Sequence, residues 1–565
     1  MAEHFLVSEI ETDVLVLGGG PAGTWAAVSA AARGARVVLV DKARCGSSGP
    51  SAFGSTTVWN IPPGAARDAA VRRSHADGGH LGDPEWLDRV FDETHRRIEQ
   101  LVGWGYRFPD DPRGGSPRVR MDGAGYLRRM RRTVIEAGVR VLDHHPALQL
   151  LRDGDGVIAG AAGVRQNDGF GSWTIRAGAV VVATGGCAFL SGGAGTDVAT
   201  GDGLLLAAEV GARLSGMEFS SAYSLGPALN SFTPAIHPSF ASGLALRLGT
   251  LYDENGDVVA GGRHGAFAAI ADGRRVFAAL EDVPETARHW LARQGAVDRF
   301  RRVPLHAVLE GTVRGTGGLA LTGPDCATTV AGLYGAGDAT SREVVTGAVS
   351  GIGGHSGAWA IASGVWAGAG AARFARKRGP VRAVRPVPGA GLAARARIDP
   401  RAIVGLVQEH TLPLRRSYWR SAGSLRDSIA ELDGMWPGAA YALGGIGADR
   451  VRARQAAALL AVARWTKHSA LARTETRGMH RRTDHPDAGA EWRVHLMSGG
   501  LDSVWVSAER SRRVPSEPAP IVRAPSVVRG QVPVGSEPAP GLPEIPRIVP
   551  DQRGPDLTPP DRLAI

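Results

Sequence analysis

Short apolar runs that end in glycine recur along the chain. Residues 13–17, DVLVL, run into three glycines, and an alanine-rich stretch follows from Pro21 to about Ala32. An apolar run closed by glycine predicts a buried parallel strand, and the stretch behind it predicts a helix. ARVVLVD at 35–41 predicts a second buried strand, so the chain opens with a βαβ unit. Helices are predicted over 84–105 and, amphipathic, over YLRRMRRTVIEAGV at 126–139. Segments 139–151, 157–165 and 173–183 predict strands separated by Asp/Gly turns. The last of these ends in VVVATGG (180–186), a further strand entering a glycine turn, and GDGLLLAAEVGARL at 201–214 predicts a helix with a glycine-rich entry.

From about 217 to 305 the βαβ rhythm gives way to prolines and short mixed elements, which predicts a smaller inserted domain. The α/β pattern returns at 326–375, where GLYGAGDA (332–339) repeats the strand and glycine turn. Behind it, residues 344–372 contain no Asp, Glu, Lys or Arg. That stretch is long enough to span a membrane. It is built of Gly, Ser, Thr and Ala more than Leu, Ile or Phe, so a buried core helix is the expectation. Residues 400–500 predict mostly helix, most strongly QAAALLAVARWTKHSALARTETRG at 455–478. After about 514 the pattern is lost: thirteen of the 35 prolines fall there and SEPAP occurs twice. Such a composition cannot pack a core and predicts an extended tail.

A chain of 565 residues can build two to four domains. Its 78 glycines are about twice the usual share, which suits tight turns and close backbone approach to a phosphate-rich ligand. The net charge of +10 changes little. Lysine occurs only at Lys42, Lys377 and Lys467, and the arginines are scattered apart from clusters such as RRMRR at 128–132. This pattern fits the composition of a GC-rich genome and a solvated surface, so neither nucleic acid nor membrane is an expected partner. Cys45, Cys187 and Cys326 are too few for an internal iron–sulfur cluster, which needs four ligands, and form no disulfide framework. MAEHFLVSEIETD lacks the basic start and apolar run of a signal peptide. A cytoplasmic protein is the expectation.

The first glycine turn supplies Gly18-x-Gly20-x-x-Gly23. Gly18 permits the tight turn, Gly20 admits a pyrophosphate, and Gly23 lets helix and strand pack closely. Asp41 closes the second strand 18 residues after Gly23, where a carboxylate can accept hydrogen bonds from both ribose hydroxyls. Neither feature chooses between NAD and FAD. The later turns do: VVVATGG and GLYGAGDA each offer a strand end and glycine turn to a second part of a long cofactor. Gly337 and Asp338 offer backbone N–H groups and a carboxylate acceptor there. Each turn alone is an ordinary βα connection, and their joint order carries the signal.

That order resembles the flavoprotein subunits of succinate dehydrogenase and fumarate reductase, a superfamily that includes L-aspartate oxidase and the adenylylsulfate reductase flavoprotein. The motifs carrying it are GGGPAGTWAA…VVLVDK, VVVATGG, TGDGLLLAAEVGARLSGMEF (200–219), GLYGAGDA and ALARTETRGMHRRTDHP (470–486), spread over most of residues 10–490. The resemblance implies an α/β fold: a split Rossmann-like FAD-binding domain with an inserted α+β capping domain and a C-terminal helical domain. The implied division is 1–216 and 326–380 for the FAD-binding domain, 217–325 for the cap, 381–510 for the helical domain and 511–565 for the proline-rich tail. Carried over by position, the implied FAD contacts are Gly18, Gly20, Pro21, Ala22, Gly23, Asp41, Lys42, Ser48, Gly49, Ala183, Thr184, Gly185, Asp202, Gly337 and Asp338. Some members carry a flavin-linking histidine where this chain has Ser48 or Gly49 in SSGPSAFGS (47–55), which implies non-covalent FAD. His75 and His80 lie too far downstream to replace it.

Elsewhere the chain departs from the family. Dicarboxylate members follow MEF with a His-Pro-Thr-Gly segment. Here the run is MEFSSAYSLGPA (217–228), with Tyr223 near the histidine's place as either a hydroxyl donor or a buried aromatic. His306 in VPLHAVLEGTVRGTGG is the counterpart of a second family histidine, one residue out of register, with Arg314 as an anion contact in the same loop. Arg263 in GGRHGAFAAI is nearest to the cap arginine that donates a proton in family reductases, without its accompanying acid and second arginine. SREVV (341–345) imitates that motif outside the cap, and Arg342 there directly follows the third glycine turn. The family's substrate-carboxylate arginine maps to Ser350 or Gly351 in GAVSGIGGHS (347–356), where His355 is the titratable group. Serine and glycine lack the bidentate guanidinium fork.

The expectation is therefore an FAD-dependent oxidoreductase with Arg263, His306, Tyr223, Arg342 and His355 as candidate catalytic residues. Its substrate would be other than a simple C4 dicarboxylate, in specialised metabolism. Oxygen, a quinone, or a ferredoxin or other iron–sulfur protein could take the electrons, and a homo-oligomer is compatible with the family. Two alternatives remain open: an adenylylsulfate-reductase-like subunit with an iron–sulfur partner, and a non-catalytic flavin-binding subunit.

Overall fold

Leu17, Val182 and Gly335 stand side by side at one edge of an eight-stranded sheet, although 318 residues of chain separate the first from the last. The computed structural model describes residues 8–109, 120–228, 250–279, 302–349 and 354–510. The predicted tail after 514 and the positions Ser350 and Gly351 lie outside the described residues.

Strand β1 (Ser8–Leu17), helix α1 (Pro21–Ala31) and strand β2 (Val37–Val40) form the opening βαβ unit. β1 pairs in parallel with β2 on one side and with β3 (Gly171–Val182) on the other. The free edge of β3 is shared. Its first half pairs antiparallel with Ile158–Arg165, and its last residues pair in parallel with β4 (Leu333–Gly335). Val37–Val40 and Ala177–Val182 are buried throughout, as continuous apolar strands covered on both faces must be.

The stretch 344–372 proves to be mainly helix α2 (His355–Arg378), packed along α1. Its glycines are contact points. A Cβ on Gly364 would sit 2.4 Å from the Ala22 carbonyl oxygen, and one on Gly368 would sit 2.1 Å from that of Ala26. The composition that weakens a membrane reading is what lets two helix backbones approach. Among the described residues no helix is long and apolar enough to cross a membrane. Arg376, Lys377 and Arg378 close α2 at the negative end of its dipole.

The region after 217 forms a separate four-stranded antiparallel sheet in the order Tyr223–Pro227, Arg302–Leu309, Val276–Ala279, Leu251–Asp253, with helix α3 (Gly262–Ala271) against it. Towards the C-terminus, helices Pro400–Thr411, Ala422–Tyr441 and α4 (Gly447–Ala472) pack together. The helix predicted over 455–478 instead begins at Gly447 and ends at Ala472. Arg473 leaves it to meet Glu218, with its guanidinium also donating to the carbonyls of Trp492 and Val494. Residues 473–494 are consequently irregular rather than helical, and strand β5 (His495–Gly499) follows.

Candidate functional site

The three glycine turns converge because the strands that lead into them are neighbours in register, and strand ends are where open α/β sheets bind ligands. In the first turn the glycines have different duties. Gly18 has φ +104°, and a Cβ there would lie 2.3 Å from the Ala183 carbonyl oxygen; one on Gly23 would lie 1.8 Å from that of Gly18. Both are packing requirements. A Cβ on Gly20 would meet nothing within 4 Å, so its open side faces the cavity. Gly20 caps α1 without a side-chain hydrogen bond and Pro21 opens the helix, leaving the first-turn N–H groups aimed into that space. Ala22 lines it as well.

Asp41 braces this turn. One carboxylate oxygen accepts the Gly19 N–H at 2.6 Å and the other accepts the Ala43 N–H at 2.7 Å. Burial pushes its pKa up, against the pull of these amides and of Lys42. Lys42 Nζ donates to Asp202 and to Thr200 Oγ1, both at 2.6 Å, tying the end of β2 to the start of helix Asp202–Glu209. In the second turn Ala183 and Gly185 line the cavity, Gly185 with φ +77° and nothing within 4 Å of a Cβ. Thr184 Oγ1 is buried with no hydrogen-bond partner among the described residues. Ser48 and Gly49 line the opposite side.

The third turn is held from behind by a residue that the sequence motifs leave out. Ser363 Oγ, on α2, accepts the Gly337 N–H at 2.9 Å. Trp359 Nε1 donates to Thr340 Oγ1 at 2.9 Å and to the Gly337 carbonyl at 3.2 Å. Ser363 is one of two serines in an alanine-rich helix, and nothing local in the sequence sets it apart from Ser356. Asp338 faces the cavity and pairs with Arg342, whose guanidinium also donates to the carbonyls of Val313 and Gly315. Arg342 is 2 % exposed, its N–H groups are engaged, and it does not line the cavity.

These turns open into one cavity of about 740 Å³. An open glycine, a free helix N-terminus, an unpartnered buried hydroxyl and a braced carboxylate along one wall suit a dinucleotide. The far end is bounded by Tyr223, Arg263, Phe267, Arg314, Tyr418 and Arg481. Tyr223 Oη donates to the Leu412 carbonyl at 2.8 Å and approaches that of Thr411 at 3.2 Å, so its ring rather than its hydroxyl meets the cavity. Burial raises its phenol pKa. Arg263 is exposed at the cavity, and Arg314 lies 3.8 Å from Glu310. His306 pairs across the cap sheet with Gly226 and does not line the cavity; burial lowers its pKa. His355 opens α2, buried against Trp59, while its neighbours Gly354 and Ser356 line the cavity. Tyr223 and Arg263 are thus brought together, and His306, Arg342 and His355 stand outside the lining.

Tyr418, Phe267 and Arg481 carry no local sequence signal that marks them as cavity residues. Arg481 sits within ALARTETRGMHRRTDHP (470–486), but nothing local separates it from Arg482, whose side chain turns inward to Asp484. Arg481 lies over the Tyr418 ring at 4.3 Å. Behind Ser221 in the same wall, the fully buried Arg420 donates to Ser221, to the Glu218 carbonyl at 2.8 Å, to the Ser417 carbonyl at 2.9 Å and to His480 Nδ1 at 2.7 Å. Arginine can only donate, so His480 accepts at Nδ1 and carries its proton on Nε2, which donates to the Arg473 carbonyl at 3.0 Å. Burial and the neighbouring arginines hold this imidazole neutral, its pKa well below the ordinary value. Burial draws Arg420 down to about 10. Lys467, also buried, donates to the Arg416 carbonyl at 2.7 Å and to Ser417 Oγ at 3.1 Å. None of Arg263, Arg481, Arg420 and Lys467 forms an ion pair with a carboxylate of the described residues.

Residues 13–223 match the FAD binding domain family, and residues 444–516 match the fumarate reductase flavoprotein C-terminal family. L-aspartate oxidase of Streptomyces coelicolor is 28% identical over 276 residues, 45% of this chain and 47% of that enzyme. L-aspartate oxidase of Mycobacterium leprae is 30% identical over 230 residues, 37% of this chain and 42% of that enzyme. The matched stretch thus spans about half the length of these relatives or less. Among solved structures, a quinol fumarate reductase from E. coli superposes with a TM-score of 0.72 at 19% identity, covering 93% of this chain and 100% of that one. The adenylylsulfate reductase of Archaeoglobus fulgidus superposes at 0.69 and 17% identity, covering 90% and 97%. With the FAD binding domain matched over 13–223, which holds the first two glycine turns, and the fumarate reductase flavoprotein C-terminal segment matched after it, the chain belongs to the succinate dehydrogenase and fumarate reductase flavoprotein superfamily.

Proposed function

We propose that this chain is an FAD-dependent oxidoreductase that binds FAD non-covalently and acts on a small molecule other than a simple C4 dicarboxylate. One observation carries the reading: a single cavity joins the three glycine turns to the wall of Tyr223, Arg263 and Arg481. Bound along those turns, FAD supplies hydride transfer at its N5. The chain's own residues do the rest. Gly20 and the α1 N-terminus receive the pyrophosphate, Asp41 offers its remaining lone pairs to ribose, and Lys42 with Asp202 closes the side of the groove. Asp338 keeps its carboxylate at the third turn under the hold of Arg342. Arg263, free of an acid partner among the described residues, can hold a proton towards a substrate under the cap. Ser48 and Gly49 offer no imidazole for a covalent link, which supports a dissociable cofactor.

Against a C4 dicarboxylate, Tyr223 commits its hydroxyl to backbone carbonyls, and the family's carboxylate fork maps to serine or glycine. The three cysteines are buried and well separated, so electrons leaving the flavin would pass to oxygen, a quinone or an external iron–sulfur protein. The division at 216, 325, 380 and 510 belongs to the same proposal.

The test is anaerobic bleaching of the yellow protein against a metabolite panel, followed by oxygen. Reduction by a non-dicarboxylate donor, with FAD released on acid precipitation, is the expected result. Flavin that stays in the pellet would end the non-covalent reading, and bleaching by succinate or aspartate alone would end the substrate reading.

A further inference from the structure

Three aromatic rings meet at the cap end of the cavity, and they come from three separate parts of the chain. Phe267 and Tyr418 stand 5.1 Å apart at 65°, Tyr223 and Tyr418 5.9 Å apart at 83°, and Tyr223 and Phe267 6.0 Å apart at 63°. These are edge-to-face geometries, which present a mixed surface of ring faces and edges to anything beside them. Tyr223 is fixed through its hydroxyl, so the wall is preformed.

Against this wall stand two guanidiniums. Arg481 is half-buried and laid on the Tyr418 ring at 4.3 Å, a stacking that fixes its plane and leaves its N–H edge for a ligand. Its one hydrogen bond within the described residues is a long one of 3.4 Å to the Met479 carbonyl. Arg263 enters the same cavity from α3. Neither has a carboxylate partner among the described residues, and Arg420 behind the wall has none either. Two guanidiniums in the lining of one cavity, with Glu310 of that lining turned to Arg314 at 3.8 Å, are an arrangement that an anion relieves. The Arg481 pKa is drawn down by burial, and the charge of Arg263 pushes it the same way.

We infer that the cap end of the cavity takes an aromatic oxyanion, its ring against Tyr223, Phe267 and Tyr418 and its anionic group between Arg481 and Arg263. This rests on the oxidoreductase reading for its consequence and adds to it the substrate class. Arg481 is the specificity residue, because it supplies a planar fork held by stacking, which the exposed Arg263 lacks.

The test is calorimetric titration of the full chain, as purified with FAD, using benzoate, phenyl phosphate, benzamide and succinate. Benzoate or phenyl phosphate should bind at least about tenfold more tightly than benzamide and succinate, and the better of the two names the oxyanion. Arg481→Gln should weaken that binding by about ten- to a hundredfold with FAD content unchanged, and Arg481→Lys should recover only part of it. Equal binding of benzamide or succinate overturns the inference, as does an Arg481→Gln variant that binds the oxyanion like the parent. A chain that purifies without flavin overturns the oxidoreductase reading instead. The same four titrations then still decide the clamp, whose groups all belong to the chain.

Discussion

Glu218 accepts a hydrogen bond from Arg473 Nε at 2.9 Å across 255 residues of chain, and neither side chain is exposed at all. Arg473 also donates to Glu475 and to the carbonyls of Trp492 and Val494, and its guanidinium lies over the rings of Phe219 and Trp492. Removing one member of a buried pair strands the other's charge or hydrogen-bonding groups, at about 3–5 kcal/mol. Arg473→Met is therefore expected to lower the unfolding free energy of the full chain by that amount, read as a lower midpoint in urea. An unchanged midpoint would mean that the pair does not join the C-terminal segment to the strand region before the cap.

The same charge cluster sets a pH dependence. Burial alone would lower the pKa of His495, but the Glu343 carboxylate 2.9 Å away outweighs it and raises the imidazole above its ordinary value. A raised histidine contributes stability that is complete below about pH 6.5 and lost as pH rises through the folded pKa. Glu218 works in a different window. Burial pushes its carboxyl up to about 7, against Arg473, so it costs stability as pH climbs from the ordinary 4.5 to about 7 and nothing further above that. His495→Gln should therefore flatten the fall in urea midpoint above about pH 6.5, and, because His495 is also what holds the Glu343 carboxyl below its ordinary value, it should shrink the rise on the acid side as well. A fall of equal steepness in the variant would show that another group titrates there.

The glycines of the first turn separate folding from cofactor binding. Gly20→Ala adds a methyl where nothing lies within 4 Å, at an ordinary φ of −74°. The FAD-free fold should keep its stability to within about 0.5 kcal/mol, while FAD retention on gel filtration falls because the methyl occupies the pyrophosphate approach. Gly23→Ala places its methyl 1.8 Å from the Gly18 carbonyl oxygen, and the whole turn must move. That variant is expected to lose stability and flavin together. If both lose flavin with equal loss of stability, Gly20 is a folding residue and the cavity does not approach a phosphate there.

What the sequence made legible was local. Residues 13–41 carried their strand, turn and acid in consecutive positions, and the glycines of 344–372 told a packed helix from a membrane span. What stayed hidden was set by partners distant in sequence. The end of α4 at Ala472 depends on Glu218, so helical periodicity overran it to 478. The Gly337 N–H reads from sequence as open to a ligand, but Ser363 Oγ accepts it. Arg481 and Arg482 are neighbours of one type, and only packing decides that one turns inward to Asp484 while the other lies across Tyr418 at the cavity. Arg342 directly follows a glycine turn and so reads as a catalytic candidate; its three acceptors lie on two segments, 313–315 and 338, that only the fold brings together.

Arg342 gives the sharpest test of positioning against chemistry. Its guanidinium joins Asp338 at the third turn to the carbonyls of Val313 and Gly315, in and just after the short helix Gly311–Arg314 that follows the cap strand Arg302–Leu309. Lysine keeps the charge but cannot span a carboxylate and two carbonyls from one plane. Arg342→Lys should leave at least one buried acceptor unmet, costing about 1–3 kcal/mol, and should loosen FAD because Asp338 loses its hold. Both effects are read directly, as a lower urea midpoint and a lower flavin-to-protein absorbance ratio after gel filtration. A residue at the flavin edge would behave otherwise, with midpoint and flavin content near the parent's and a slower anaerobic bleaching rate. That second pattern would move Arg342 from a brace to a catalytic residue.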